Sequence, residues 1–520
     1  SVGYMAEEEG VGRYFAELNY FVFAMSLLVL ADNFVGLLIG WANVGLASFM
    51  LIGYWNRRPE AAAAAKKAFQ LNVIGEVGLI LAFALIAGEF RSLQFDEVFA
   101  RVGEASPGVL TAIGLLLLAG AVAKSAQLPL HTWLPDAMQG PTPVSALMHA
   151  ATMVTAGVYL MIRAFPIYQA APVAMQAVAV VGAVTALFGA IVATRQHDIK
   201  KVLAFSTMSQ LGYMMLGAGV GAYTASAFHF FTHAFFKALL FLGAGIVIHY
   251  LHGEQDIRKM GGIGREMPFA YWTFLAGVLA IAGAPPFAGF FSKDEILGAA
   301  LSEGYTVLWL VGVAAAGLTA FYMARLFALV FAGEPSGHRH SGHEPGATMS
   351  VPVAVLALLS VVAGLIGIPG VTAVPEAFLG PVFEAYGHHS PHAAFGWPVL
   401  AVLLVAAVGA GLAVRVYGPA GRGREREVAQ AGKPAAGAVA NGFYLDALYQ
   451  QGIGGLVNAF ASLVGSILDP YIIDGVVNGT GALAKSAGAG LRRLHSGYVR
   501  RYALTVFFGV AVFMLYFILI

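Results

Sequence analysis

The sequence predicts an all-α, polytopic membrane protein. Of its 520 residues, 59% are hydrophobic and only 11% are charged, whereas soluble globular chains usually carry about 25% charged residues. The 64 Gly and 36 Phe residues fit a chain whose apolar side chains face lipid as well as a core. This composition excludes an ordinary soluble enzyme.

Thirteen apolar runs are long enough, some with interruptions, to cross a bilayer, which takes about 20 residues per helix. The runs lie near residues 15–31, 33–54, 67–88, 108–130, 142–165, 172–194, 199–219, 222–250, 269–297, 305–332, 351–372, 396–417 and 502–520. With this layout, the loops alternate between the two sides of the membrane, so about 13 transmembrane helices are predicted.

Positive charge is distributed very unevenly over these loops. One side carries 22 Lys and Arg residues, and the other side carries only Arg91, Arg101 and Arg163. Because cytoplasmic loops are rich in Lys and Arg, the richer side is predicted to be cytoplasmic. The first helix then leaves the cytoplasm and the last one ends outside.

Residues 441–500 differ from the other runs because apolar patches alternate with charged residues. Their helical spacing predicts an amphipathic helix that lies along the membrane, with a bend at Pro470. A poorly hydrophobic extra transmembrane helix is the alternative. The loops at 333–346 and 418–442 are rich in Gly, Pro or charge and are interpreted as flexible connections. We interpret His338, His340 and His343 as part of a solvated loop rather than a metal site.

The chain therefore divides into five predicted segments. These are a first half (1–200), a second half (201–335), peripheral transmembrane helices (336–440), the lateral amphipathic helix (441–500) and a terminal transmembrane helix (501–520).

Three lysines lie inside apolar runs, where a charge costs about 2.5 to 3.5 kcal/mol on insertion scales. They are Lys124, Lys237 and Lys293. Burial disfavours the ammonium form and a nearby charge can restore it, so such a lysine can take up and release a proton. The lysines therefore indicate a proton relay. For Lys293, which precedes Asp294, a structural ion pair or a snorkelling side chain is an equally weighted alternative.

Helix-breaking prolines accompany two of these lysines. Pro129 follows Lys124, and Pro285 and Pro286 precede Lys293. Interrupted helices are tolerated at membrane depth where they line a hydrated cavity, so the breaks mark an ion path. They fall in the fourth and ninth runs, five helices apart, which predicts two inverted five-helix repeats.

Histidines lie between the lysines in the sequence. His149 is in the fifth run, and His229, His233 and Lys237 follow each other at intervals of four, which places them on one helix face. Such a stripe can hold water and pass protons. A zinc site at His229 and His233 lacks a third ligand, and buried structural histidines are the other alternative.

Two acidic residues complete the set. Glu76 lies inside the third run and is another intramembrane acid. Asp198 begins the seventh run and is interpreted as a helix-end charge.

Four sequence strings resemble the antiporter-like subunit L of bacterial NADH-quinone oxidoreductase, respiratory complex I. They are AKSAQLPLHTWLPDAMQGPTPVSALMHAATMVTAGVYL (123–160), DIKKVLAFSTMSQLGYM (198–214), HFFTHAFFKALLFL (229–242) and GFFSKDEIL (289–297). FYLDALY (443–449) resembles the start of that family's lateral helix, which runs along neighbouring antiporter-like subunits. The resemblance extends from about residue 10 to the C-terminus.

This resemblance implies a multi-pass subunit of the bacterial inner membrane that moves protons as quinone is reduced elsewhere in the complex. It implies that Lys124 switches its charge, that His149, His229, His233 and Lys237 form the central axis, and that Lys293 with Asp294 forms the exit. In the family, about three further helices precede the position of Ser1.

Two departures from the family concern Lys124. The family's Glu after Trp41 is Ala42 here, and its Arg and Asp in the next helix correspond to Val73 and Glu76. Lys124 thus lacks its usual acidic partner and should become neutral more easily. We hypothesise that Glu76 replaces the lost acid.

The chain contains no Cys, which excludes Cys-ligated iron–sulfur clusters, and it shows no nucleotide-binding Gly motif. No cofactor is therefore assigned to this chain, and NADH, FMN, iron–sulfur clusters and quinone are expected on partner subunits. Two other functions stay open: an Mrp-type cation/proton antiporter subunit, and a structural clamp with an impaired proton path. Nothing in the sequence indicates a nucleic-acid surface.

Overall fold

The computed structural model describes residues 1–332, 345–368, 371–388, 396–419 and 433–520. Within these residues the chain is helical and contains no β-strand, only two isolated bridges between loops. The prediction of an all-α fold is confirmed. His338, His340 and His343 lie outside the described residues.

The first compact unit, Ser1–Phe443, contains twenty described α-helices. In chain order they are α1 (Val11–Leu30), α2 (Phe34–Ile52), α3 (Pro59–Phe90), α4 (Phe95–Ala100), α5 (Pro107–Lys124), α6 (Trp133–Asp136), α7 (Thr142–Ala150), α8 (Ala156–Arg163), α9 (Phe165–Gln169), α10 (Pro172–Ala193), α11 (Ile199–Gly219), α12 (Tyr223–Tyr250), α13 (Ile257–Met260), α14 (Pro268–Ala282), α15 (Ala288–Ser302), α16 (Thr306–Phe327), α17 (Ala347–Val362), α18 (Val374–Glu384), α19 (Trp397–Tyr417) and α20 (Lys433–Ala440). Every predicted apolar run of this unit coincides with one or two of these helices.

Twelve helices of the described chain are long and apolar enough to cross a membrane. Two of the predicted runs are not among them, for different reasons. The ninth run is split into α14 and α15, each only 15 residues long. The seventh run, α11, carries several polar residues, but nearly all of its side chains are buried within the protein. Since α11 does not face lipid, it does not need a fully apolar surface.

Both predicted helix breaks are present. α5 ends at Lys124, and the chain then passes through Ala126, which has a left-handed φ of 48°, before α6 begins. α14 ends at Ala282 and is followed by Gly283 with a φ of 77°, and α15 begins after Pro286. The breaks therefore lie in the fourth and ninth runs, which contain Lys124 and Lys293. The division into two inverted repeats stays a prediction.

Helices α10 and α11 pack closely because glycines face each other at their contact. A Cβ atom built at Gly182 would overlap the Leu216 backbone nitrogen, and one built at Gly212 would lie 2.5 Å from the Ala186 nitrogen. Close backbone approach through small residues is the common way in which membrane helices associate. This contact holds the polar helix α11 at the centre of the unit.

Replacing Gly182 by valine is expected to push α10 away from α11 and to destabilise the subunit by roughly 1–3 kcal/mol, the usual cost of overpacking. The temperature at which the detergent-solubilised complex loses this subunit measures the effect. Gly411→Val in α19 is the control, because a Cβ there meets nothing within 4 Å. Equal melting temperatures for the two variants would show that the α10–α11 contact does not determine stability.

The second unit, Tyr444–Ile520, is helical as well. A helical run of 53 residues, Gly442–Leu494, is followed by a terminal helix. Its α-helical parts are α21 (Leu445–Ala447), α22 (Gly454–Leu463) and α23 (Asp474–Leu494), and the terminal helix is α24 (Val499–Leu519). Two π-helical stretches, Leu448–Ile453 and Val464–Ile473, separate the parts of the run.

Pro470 lies within the second π-helical stretch, so the helix continues through the residue that lacks a backbone N–H. At 1.5 Å per residue a run of this length extends about 80 Å, against a hydrocarbon thickness of about 30 Å. By composition and length it counts among the membrane-crossing helices. Its length favours the lateral interpretation over a single crossing, and its course along the membrane stays a prediction.

Candidate functional site

Lys124 is fully buried at the C-terminal end of α5, directly before the helix break. Its Nζ atom donates hydrogen bonds to the Trp41 carbonyl oxygen at 3.1 Å and to Glu76 Oε1 at 3.5 Å. The ammonium also lies 5.3 Å from the centroid of the Trp41 ring. Lys124 is thus held by one carbonyl, one carboxylate and one aromatic face.

The structure brings Glu76 to Lys124, as the hypothesis of a replacement acid requires. Their 3.5 Å ion pair joins a fully buried lysine to a carboxylate that is 15% exposed. A Cβ built at Gly45 would lie 3.3 Å from both charged atoms, so this glycine leaves room for the pair. Ala42 is exposed on α2, and Val73 lies on α3 one turn before Glu76. The functional role of Glu76 stays a prediction.

His149 is buried near the end of α7 and lies between Lys124 and Lys237 in the sequence. Its ring centroid lies 6.3 Å from that of Trp133 and 6.1 Å from that of Phe241. Trp133 Nε1 donates to the Ala123 carbonyl next to Lys124, and Lys237 Nζ lies 5.7 Å from the Phe241 ring. His149 therefore lies between two aromatic side chains, and each of these also contacts the surroundings of one lysine.

The predicted polar stripe of α12 is completely buried: His229, His233 and Lys237 all have 0% exposure. His233 Nδ1 lies 2.8 Å from the Ala150 carbonyl oxygen. Because a carbonyl only accepts hydrogen bonds, Nδ1 carries the proton and Nε2 holds a free lone pair. Lys237 Nζ donates to Ser206 Oγ on α11. The stripe therefore contacts both α7 and α11.

His229 connects the stripe to the second broken helix. Its Nδ1 lies 2.9 Å from Ser292 Oγ on α15, and its Nε2 lies 3.2 Å from Gln210 Oε1 on α11. The described residues contain no group of three or more side chains that could hold a metal ion. His229 is thus joined to α11 and α15 by hydrogen bonds, and its role in a relay stays a prediction.

Lys293 follows the break between α14 and α15 and is 1% exposed, so it does not snorkel. Its Nζ donates to the Ile281 carbonyl at 2.7 Å, in the last turn of α14. The ion pairs found in the described residues include none between Lys293 and either Asp294 or Glu295. The break therefore supplies a carbonyl that holds the lysine, and the pairing of Lys293 with Asp294 stays a prediction.

Several buried polar atoms around the three lysines have no hydrogen-bond partner among the described residues. They are Ser125 Oγ, Gln127 Oε1, His149 Nδ1, Ser209 Oγ, Gln210 Nε2, His233 Nε2 and Asp294 Oδ2. Leaving such an atom unsatisfied costs about 1–3 kcal/mol, and buried water usually fills this need. These atoms lie on α7, α11, α12 and α15 and directly after α5, so water bound at them would lie along the lysines and histidines.

The helix α11 supplies most of the site residues that sequence reasoning missed. Ser206 binds Lys237, Gln210 binds His229, and Ser292 on α15 binds His229 from the other side. The signal for the first two was the polar string STMSQ within a run assigned to the membrane. Polar residues in a transmembrane helix face the bundle interior.

A predicted cytoplasmic loop, residues 194–198, caps the start of α11. Asp198 accepts hydrogen bonds from the Lys200 and Lys201 backbone N–H groups, which confirms its interpretation as a helix-end charge. In the same loop, burial and the cations Arg258 and Arg325 lower the pKa of His197 to about 4. His197 is therefore neutral at pH 7.

The family described as NADH:quinone oxidoreductase/Mrp antiporter, transmembrane region, matches residues 31–319. The chain is 47% identical to NADH-quinone oxidoreductase subunit L of Mycobacterium tuberculosis, over 98% of this chain and 81% of that protein. It is 41% identical to NAD(P)H-quinone oxidoreductase chain 5 of a Picosynechococcus species, over 99% and 83%.

The fold is also found in solved structures. A chain of the Mrp complex from Dietzia sp. superimposes with a TM-score of 0.72 at 29% identity, and the match covers 93% of this chain but only 52% of that one. The archaeal membrane-bound sulfane sulfur reductase complex contains a chain that matches with a TM-score of 0.65 at 24% identity, which shows a shared fold. The matched family model and the nearly full-length relatives show that this chain belongs to the NADH:quinone oxidoreductase/Mrp antiporter transmembrane family.

Proposed function

We propose that this chain is the proton-translocating, subunit L-type membrane subunit of an NADH-quinone oxidoreductase. The observation that carries the proposal is the burial of three lysines, Lys124, Lys237 and Lys293, each held by neutral hydrogen-bond acceptors or by a single loosely placed carboxylate. A buried lysine without a tight ion pair can lose its proton. A lysine whose positive charge is permanently balanced by a close carboxylate keeps its proton.

The route runs from Lys124 through His149 and Lys237 to Lys293 and Asp294. The hydrogen bonds of His229 and the free lone pair of His233 support its central part. A proton that arrives at one lysine repels a charge on the next, so protonation of successive lysines is coupled through the interior. In this proposal, quinone reduction elsewhere in the complex changes the charge at one end of the lysine row, which consists of Lys124, Lys237 and Lys293.

The redox groups belong to partner subunits in this proposal. The absence of Cys removes the usual ligands of iron–sulfur clusters from the chain. NADH, FMN, iron–sulfur clusters and quinone would therefore be bound elsewhere in the assembly. We further propose that the assembly lies in the bacterial plasma membrane, and that the helical run Gly442–Leu494 packs along neighbouring antiporter-like subunits.

An Mrp-type cation/proton antiporter subunit is the second candidate function, and the fold match to the Dietzia Mrp chain favours it. Higher identity over nearly the full chain supports the oxidoreductase assignment. The two functions differ in partners and in driving force.

Purification of the native complex through a tag on this chain separates these functions. We expect iron–sulfur and quinone-site subunits to co-purify, and we expect NADH oxidation by the reconstituted complex to acidify vesicles without added sodium. A complex that lacks redox subunits and exchanges sodium for protons would contradict the proposal.

A further inference from the structure

Helix α3, which carries Glu76, contacts both sides of the first helix break. Before the break, α5 ends at Lys124, which forms the 3.5 Å ion pair with Glu76. After the break, α6 ends at Asp136, and its Oδ2 atom accepts a hydrogen bond from Lys67 Nζ of α3 at 2.6 Å. A single helix thus forms one lysine–carboxylate pair with each side of the break.

Glycines bring α3 close to α5 beside Glu76. A Cβ atom built at Gly75 would lie 2.3 Å from the Ala123 Cβ atom, and one built at Gly78 would lie 3.0 Å from the Ala119 Cβ atom. Such small residues allow the backbones of membrane helices to approach closely. The packing of α3 on α5 therefore sets the position of the Glu76 carboxylate relative to the last turn of α5.

Trp133 joins α6 directly to α5. Its indole Nε1 donates to the Ala123 carbonyl oxygen at 2.9 Å, and its side chain is completely buried. The three helices α3, α5 and α6 therefore contact one another pairwise. Lys67 and Glu76 are nine residues apart on α3, or about 13 Å along its axis. At this separation, the Lys67–Asp136 pair can influence Lys124 through the positions of the helices.

We propose that Lys67 and Asp136 are positioning residues of the proton route, because their ion pair holds α6 against α3 and so keeps Glu76 at its distance from Lys124. This inference rests on the function proposed above. The attraction between two charges depends on their separation, and a displacement of about 1 Å can strongly reduce the rate of a reaction between positioned groups. Loosening the contact between α3 and α6 should therefore impair proton transfer at Lys124.

An ion pair without functional consequence is the competing explanation, because pairs between exposed side chains usually contribute little. The Lys67 side chain is 18% exposed and that of Asp136 is 36% exposed, so this pair is partly shielded from water. Glu104 offers a matched control. Its carboxylate forms a 2.9 Å ion pair with Arg101, directly after α4, and these two side chains are 62% and 44% exposed.

The test measures proton pumping per NADH oxidised in vesicles and normalises it to the amount of assembled complex. Asp136→Asn removes the charge but keeps the shape, and we expect it to reduce pumping about threefold. Asp136→Glu keeps the negative charge and should assemble and pump to within about twofold of the unmodified protein. Glu104→Gln should equal the unmodified protein.

A double-mutant cycle separates positioning of Glu76 from a general effect on the fold. If Asp136 acts through Glu76, Asp136→Asn should have no further effect in the Glu76→Gln background, so that the double variant pumps about threefold less than the unmodified protein. Independent effects would multiply to about ninefold.

Normal pumping by Asp136→Asn, or a ninefold loss in the double variant, would overturn the positioning role while leaving the proposed function intact. Pumping by Asp136→Glu as poor as that of Asp136→Asn would also contradict an ion pair as the cause. The proposed function itself is tested in the same assay by Lys124→Ala. If that variant pumps normally, proton transfer through Lys124 is wrong regardless of Asp136.

Discussion

Lys237→Ala and Lys237→Arg are both expected to reduce proton pumping by more than about tenfold, while the complex still assembles. Alanine removes the ammonium group of the α12 stripe. Arginine keeps the positive charge, but a guanidinium does not release its proton in a protein. Both variants therefore lack a group that changes its protonation state.

The arginine variant separates two roles of the charge. A lysine needed only as a fixed positive charge would tolerate arginine, which can still donate to Ser206. Lys259→Ala is the control, because Lys259 lies on α13, outside the buried stripe, and its side chain is 66% exposed. Pumping is measured by quenching of a pH-sensitive dye in inverted vesicles with NADH as the electron donor. Full pumping by Lys237→Arg would contradict the relay.

The second large effect concerns the Lys124–Glu76 pair. Lys124→Ala is expected to reduce pumping about tenfold, and Glu76→Gln about threefold, because the glutamine keeps the shape but removes the charge that favours the ammonium form. Glu76→Asp should retain most of the activity, since aspartate keeps the negative charge of the carboxylate. The measurement is again pumping per NADH oxidised.

A double-mutant cycle shows whether Glu76 acts through Lys124. Two residues that act as a pair are not additive, so Glu76→Gln should have no further effect in the Lys124→Ala background. If Lys124→Ala pumps fully, the chain is a structural clamp. If Glu76→Gln alone pumps fully, Glu76 does not replace the acid that is missing at Ala42.

The sequence predicted the helices well because thirteen long apolar runs leave few alternatives in a membrane. It also located both helix breaks, since Pro129 and Pro286 lie beside buried lysines. Individual contacts were beyond its reach. The approach of Glu76 to Lys124 depends on how α3 packs on α5. The space that Gly45 of α2 leaves for this ion pair is visible only when the three helices are assembled.

Polar partners from distant helices were the least predictable part of the site. His229 and Ser292 are far apart in the chain and meet only because α12 and α15 pack together. A serine or tyrosine in an apolar run commonly satisfies its hydroxyl group locally, at the carbonyl three or four residues earlier or at a water molecule. The sequence alone therefore favours no particular partner.

Direct observation of water along the lysine row tests the central claim most sharply. A high-resolution density map of the native complex should show ordered water between Lys124, His149 and Lys237, and beyond them at the unpartnered Asp294 oxygen. Dry, closely packed surroundings at all of these atoms, with every amino group sealed in a fixed contact, would contradict proton translocation through this chain.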